Sequence, residues 1–210
     1  MELLWLFLVQ SVILALMPGP DILYVAVQSM VYRPKNALAV VFGLVTGCLW
    51  HTLLVSAGIS TLLFQLPWSK NLLLLLGALY FFYLSFRSFR AKTIQTPTMK
   101  DDRVKSRLAL YGQGFLMNAM NPKVALFFMA FFPGFIFSTS LPIWWQMTVL
   151  GLIFSTVTLV VFSAVALAGN RLQKVISQLP SAAFWMNRIQ AIILLLLGVF
   201  LLFSLDIAYF

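Results

Sequence analysis

The sequence holds one cysteine, one histidine and five acidic residues among 210. Cys48, alone, forms neither an internal disulfide nor a CxxC redox pair, which excludes the six-helix thiol–disulfide carriers of membranes. With His51 as its sole companion, a metal site of the usual His and Cys type is excluded as well. No HExxH, GxSxG or Walker GxxxxGK[ST] run is present, so the common signatures of zinc hydrolases, serine hydrolases and phosphate-binding loops are missing. An ATP-driven pump would need a partner chain. Charge is scarce too: 9% of residues are charged and 62% are hydrophobic. Soluble domains run closer to half apolar and a quarter charged. A soluble core could not hide this apolar surface, and a water-soluble globular enzyme is excluded.

What is present is a series of long apolar runs. A membrane-spanning helix takes about 20 apolar residues, so six need roughly 120 and leave room for loops. The first run covers Leu3 to Tyr32 and is interrupted by Met17-Pro18-Gly19-Pro20-Asp21. The second lies within Ala37 to Leu66 and the third runs from Asn71 to Phe89. A polar, basic stretch follows from Arg90 to Arg107. The fourth run covers Tyr111 to Phe137, with Asn121-Pro122-Lys123 in its middle. The fifth covers Ile143 to Ala168 and the sixth Met186 to Leu205. The expectation is an all-α polytopic membrane protein of six helices, with helices one and four broken at proline. It forms one transmembrane domain over 1–210.

The 14 basic residues sort by side, 12 of them falling in the first, third and fifth connections. Lys70 alone falls in the opposite loops, and Lys123 lies within a span. Lys and Arg accumulate in cytoplasmic loops, so the odd connections are placed there and both termini outside. Trp5, Trp68, Trp144 and Trp145 then mark the outer interface, and Tyr32, Tyr111 and Trp185 the inner one. The same argument reads the excess of positive charge as loop charge rather than a nucleic-acid footprint. The N-terminus lacks a basic n-region and a small-residue cleavage site, and is expected to be a retained helix. Leu172, Val175, Ile176 and Leu179 follow helical spacing beside Arg171 and Lys174, as in a short interfacial helix.

The halves resemble each other. Leu72 to Leu76 precede Gly77, and Leu194 to Leu197 precede Gly198. Gly43-Leu44-Val45 matches Gly151-Leu152-Ile153, and Pro20-Asp21 matches Pro122-Lys123 in order. Three spans per half is an odd number, so the second half must be inverted. The expected architecture is a 3+3 inverted repeat, with repeat one about 1–92, a cytoplasmic linker about 93–107 and repeat two about 108–210. Secondary transporters commonly place their site at such a repeat interface, near the bilayer midplane.

Pro18, Gly19, Pro20 and Pro122 free backbone groups in the middle of spans, which lipid tolerates only beside protein or water. The first break reads either as a simple kink or as a functional one. Asp21 and Lys123 are the acid and the base at mid-depth, where an isolated charge costs at least about 3 kcal/mol. They read either as a salt bridge locking the two repeats or as a site offering both signs to a zwitterion. His51 shares one helix face with Gly43 and Gly47, whose lack of side chain permits close helix packing. It reads either as a proton carrier or as a neutral ring bonded to a carbonyl. Gln10, Ser11, Gln28, Gln113, Asn118 and Asn121 add neutral polar groups to spans one and four. Most such groups bond across helices; Gln113 and Asn121 are kept as candidates for substrate contact. Phe127, Phe128, Phe131 and Phe132 read as lipid-facing or packing surface.

Taken together, Met17-Pro18-Gly19-Pro20-Asp21, Gly43-Leu44-Val45-Thr46-Gly47 with His51, Gly112-Gln113-Gly114-Phe115 and Asn121-Pro122-Lys123-Val124-Ala125-Leu126-Phe127-Phe128 resemble the LysE/RhtB family of bacterial amino-acid exporters. The resemblance spans nearly the whole chain. Pro133-Gly134 stands where many relatives carry Pro-Gln, and the central loop is short. It implies efflux of a small amino acid or derivative across the bacterial cytoplasmic membrane, with the proton gradient as drive. In that reading Asp21 meets the ammonium group or carries a proton, and Lys123 with the freed amides receives the carboxylate. The partners are a small-molecule substrate and the lipid bilayer, a homodimer is allowed for, and no nucleic acid, cofactor or metal is expected. The rivals are a membrane-embedded enzyme without a recognisable motif and a membrane scaffold or assembly factor.

Overall fold

A computed structural model describes residues 2–17, 19–31, 34–59, 67–91, 106–169 and 182–205. Pro18, most of the central linker and the interfacial stretch around Leu172 to Leu179 lie outside the described residues. Among those described, all regular structure is helical.

Proline punctuates the chain. It lacks an N–H that the first helical position would leave unpaired anyway, so it starts helices well and continues them badly. Helix α1 spans Glu2–Leu16 and α2 starts at proline, spanning Pro20–Val31. Helix α3 is Pro34–Leu54, continued by a wider turn over Val55–Ile59. Gly58 closes that turn at φ 138°, a left-handed value that suits glycine. Helix α4 is Pro67–Arg90. Helix α5 is Arg107–Ala119, capped by Ser106, whose Oγ accepts from Ala109 N at 3.2 Å. Helix α6 opens at Pro122–Leu126 and runs on through Phe127–Phe131 and Phe132–Phe135. Helices α7, Ile143–Leu167, and α8, Ala182–Phe203, complete the bundle.

Three segments, Pro34–Gly58, Asn71–Arg90 and Ile143–Leu167, are long and apolar enough to cross a bilayer. Two further candidates are bent pairs: α1 meets α2 at 56°, and α5 meets the α6 segment at 49°. Asn187–Phe203 is a shorter apolar helix. Leucine, valine and phenylalanine side chains such as Leu116, Val160 and Leu196 face outward. In water such a surface would drive association; in a bilayer it is the lipid contact.

Lipid removes most of the hydrophobic drive between helices, so close backbone packing must supply it. The α3–α5 contact shows how. Gly43 lies against the backbone of Tyr111 and Phe115, where an added Cβ would stand 2.8 Å from Phe115 N. Gly114 lies in turn against the Val40 carbonyl. Gly47 faces Asn118, one turn further along both helices, so α3 and α5 run parallel. Helix α7 crosses α3 in the opposite sense: Gly151 faces Thr52, and Thr148 Oγ1 donates to Ser56 Oγ at 3.1 Å. Helices α4 and α8 are antiparallel as well. Gly77 faces Leu201, Gly198 faces Phe82, and Ser85 Oγ donates to the Ala191 carbonyl at 2.7 Å.

The Phe-rich run of α6 is packing surface rather than lipid contact. Phe127, Phe128, Phe131 and Phe132 are all buried. Phe128 and Phe132 have ring centroids 4.3 Å apart, and Phe7 from α1 meets Phe132 edge-on at 5.1 Å. Edge-on and offset rings satisfy the aromatic quadrupole, which makes this stack a stiff support for the break at its foot.

Candidate functional site

The two breaks lie side by side and exchange side chains. Asp21 stands in the first turn of α2, where a negative charge suits the positive end of a helix. Asn121 caps α6: its Oδ1 accepts from Lys123 N at 3.0 Å. The same side chain reaches across to the first break, and its Nδ2 donates to Asp21 Oδ2 at 3.0 Å. One amide therefore ties the acid of one broken helix to the start of the other. Lys123 extends toward the first break as well, with Nζ 3.8 Å from Met17 Sδ. A Cβ on Gly19 would stand 3.2 Å from that ammonium, so glycine leaves the lysine its room. The two charges are near enough to feel each other, yet it is Asn121 that holds the carboxylate oxygen.

Asp21 is buried, at 8% exposure, and its second oxygen, Oδ1, is buried without a hydrogen-bond partner. The prolines have a different placement. Pro20 and Pro122 are exposed at their helix starts and act through the backbone. Pro18 lies outside the described residues.

His51 is buried on α3, with Nε2 3.1 Å from the Asn118 carbonyl and its ring 5.5 Å from that of Phe128. Of its two sequence-based readings, this is the contact the neutral, carbonyl-bonded one requires. Gly43 and Gly47 occupy the α3–α5 contact described above. Gln113 is half-buried on α5, five residues before Asn118. That is about 7.5 Å along the helix.

Sequence reasoning named Asn118 only among general polar groups and passed over Ser155 and Thr158. Both are buried on α7, and Ser155 Oγ, Thr158 Oγ1 and Asn118 Oδ1 are buried without hydrogen-bond partners. A signal was available: Gly151, Ser155 and Thr158 repeat at i, i+4, i+7 on a helix without charged residues, which marks one packed face. Met17 was noted only as part of a break, and nothing in its sequence position marks it as the neighbour of Lys123.

Three apolar helices long enough to cross a bilayer, beside two bent helix pairs with an acid and an ammonium at their bends, mark an integral membrane protein. The family comparison agrees. The model of the LysE type translocator family matches residues 12–205, and the chain belongs to that family; it is a transporter and not an enzyme. Among curated relatives, an uncharacterized membrane protein of Vibrio cholerae is 32% identical over 168 residues, covering 79% of this chain and 81% of that protein. A leucine efflux protein of Salmonella choleraesuis is 29% identical over 132 residues. That alignment covers 63% of this chain and 62% of the relative. No solved structure matches.

Proposed function

We propose that the chain exports a small zwitterionic amino acid, or a derivative, across the bacterial cytoplasmic membrane, with the proton gradient as drive. The observation that carries this reading is the bridge from Asp21 through Asn121 to the start of α6, with the Lys123 ammonium beside it. It sets a negative and a positive group side by side at two broken helices. Asp21 suits an ammonium group, and Lys123 with the positive helix end suits a carboxylate. The name of the Salmonella relative makes leucine the first compound to test.

The six-span, 3+3 inverted arrangement belongs to the same proposal. Parallel α3 and α5, antiparallel α3 and α7, and antiparallel α4 and α8 are the relative directions such an order requires. Arg87 and Arg90 at the end of α4 lie at the same end as Arg188 of α8, whose guanidinium lies 3.6 Å from the Phe89 ring centroid. This supports a cytoplasmic face there and termini outside. A scaffold reading would put polar groups on an exposed face, whereas Asp21, His51 and Asn118 are buried.

Purified protein in liposomes preloaded with labelled L-leucine, and with a panel of other neutral amino acids, tests the reading. Efflux above that of protein-free liposomes, accelerated by an imposed proton gradient, is the expected result. Absence of efflux for the whole panel would overturn it.

A further inference from the structure

Four unpartnered oxygens come together beside the Asp21 bridge. They are Asp21 Oδ1 on α2, Asn118 Oδ1 on α5, and Ser155 Oγ and Thr158 Oγ1 on α7. Their residues are 8%, 2%, 4% and 3% exposed, in that order. Helix register brings them to one level. On α2, Ser29 Oγ donates to the Ala166 carbonyl, and Gly169 lies against Ser29, so α2 and α7 run alongside each other. Two turns back along both helices, Asp21 falls level with Thr158, in keeping with Cys48, which lies near both of them. From the pairing of Thr52 with Gly151, one turn back on α3 and one forward on α7 sets Cys48 level with Ser155. Gly47, next to Cys48, faces Asn118. The Cys48 thiol lies within weak hydrogen-bonding reach of both Thr158 and Asn118, as an acceptor of their O–H and N–H groups, which leaves the acceptor capacity of their oxygens open, and within electrostatic reach of Asp21. Ser155 is the middle residue of α7, so this level is the middle of the span. A fifth such atom, Gln10 Oε1, lies on α1, across the first break.

Native interiors rarely leave buried polar atoms unpaired, and each such atom calls for an explanation. Here two of the four, the carboxylate oxygen and the amide oxygen, can only accept hydrogen bonds, and the hydroxyls can accept as well. The group carries a single negative charge. Its complement is a small cation with several N–H donors. We infer that Asp21 Oδ1, Asn118 Oδ1, Thr158 Oγ1 and Ser155 Oγ form the seat of a primary ammonium group, that of the exported molecule. The inference rests on the export reading and adds three residues to it. It also defines a specificity. A primary ammonium offers N–H donors to several acceptors, whereas a trimethylammonium offers none and a deaminated acid lacks the charge. The seat therefore selects free α-amino compounds over both.

The test is calorimetric titration of the full chain in lipid nanodiscs. Each neutral amino acid of a panel, leucine first, is compared with its deaminated carboxylic acid and its N-trimethyl derivative, with sodium or choline as the salt cation. Bonds to charged groups are strong enough that losing one costs about tenfold in affinity or more. The amino acid should bind at least about tenfold tighter than either analogue. Thr158→Val should weaken the amino acid by about tenfold without affecting the deaminated acid, Ser155→Ala should act in the same direction, and Thr158→Ser should restore binding. Equal binding of the amino acid and its deaminated analogue would overturn the seat while leaving export intact. Sodium-dependent binding that loses its sodium dependence in Thr158→Val would assign the oxygens to the metal ion and overturn the ammonium seat. Failure to bind any amino acid would overturn the export reading and the seat with it.

Discussion

Neutralising Asp21 and Lys123, singly and together, separates a site from a strut. In Asp21→Asn the new amide can still accept from Asn121 Nδ2, which now spans 3.0 Å to the carboxylate. What disappears is the negative charge near the Lys123 ammonium. A lysine left uncompensated at mid-depth costs at least about 3 kcal/mol, a large share of the roughly 5–15 kcal/mol that holds a domain folded. Lys123→Gln leaves the Asp21 carboxylate in the same position. Each single change should therefore lower the thermal midpoint of the detergent-solubilised protein. Combining Asp21→Asn with Lys123→Gln removes both charges, and stability should return most of the way. Export should not return. A lost charged hydrogen bond of about 1.5–3 kcal/mol corresponds to roughly ten- to a hundredfold in binding, and the double variant loses one for each end of the substrate. The paired assays are melting of purified protein and efflux from preloaded liposomes. Efflux that recovers in the double variant alongside its stability would refute the reasoning and reduce the pair to a structural one.

Further outcomes follow from the packing and from the sequence. Gly43→Val should prevent folded protein from accumulating in membranes, because the side chain would enter the backbone of Tyr111 and Phe115; Gly112→Ala, with nothing within 4 Å of its added Cβ, should be neutral or stabilising by up to about 1 kcal/mol. Quantitative blotting and melting of the two variants checks the contrast. His51→Asn should remove efflux driven by a proton gradient while sparing exchange of substrate across liposomes if the ring carries protons; loss of both, with loss of stability, would make its bond to the Asn118 carbonyl structural. Cysteines introduced in a Cys48→Ser background at the sequence-assigned cytoplasmic positions 103 and 171 should label only from inside, and at position 70 only from outside. Labelling of position 103 from outside would reverse the orientation and the loop-charge argument behind it.

Much of this protein was legible from composition and spacing, because the bilayer imposes a one-dimensional constraint. Long apolar runs must become helices, since lipid offers no partner for exposed backbone groups. Proline beside glycine or asparagine within a run must interrupt it, which located both bends to within a residue or two. Lys123 and Asp21 stand out because so few charges occur in spans. Gly43 and Gly47, on one helix face, already pointed to a close helix neighbour, though not to which helix it was.

Other relations were decided only by the tertiary structure. Asn121 bonds to Asp21 across 100 residues, and Lys123 approaches Met17 across 106. Those partners depend on the rotation and depth of two separate helices, and neither quantity is written in a local pattern. The phenylalanines of α6 face the core because α6 is covered on the side they occupy; an apolar run reads the same toward lipid or protein. Ser155 and Thr158 look like ordinary helix hydroxyls until α7 sets them level with Asp21 and Asn118. Sequence determined which segments form apolar helices and where they break, because solvent and backbone chemistry act on each segment alone. Only the packed helices decided which polar groups meet, because that is set by the closest approach of glycine-faced backbones far apart in the chain.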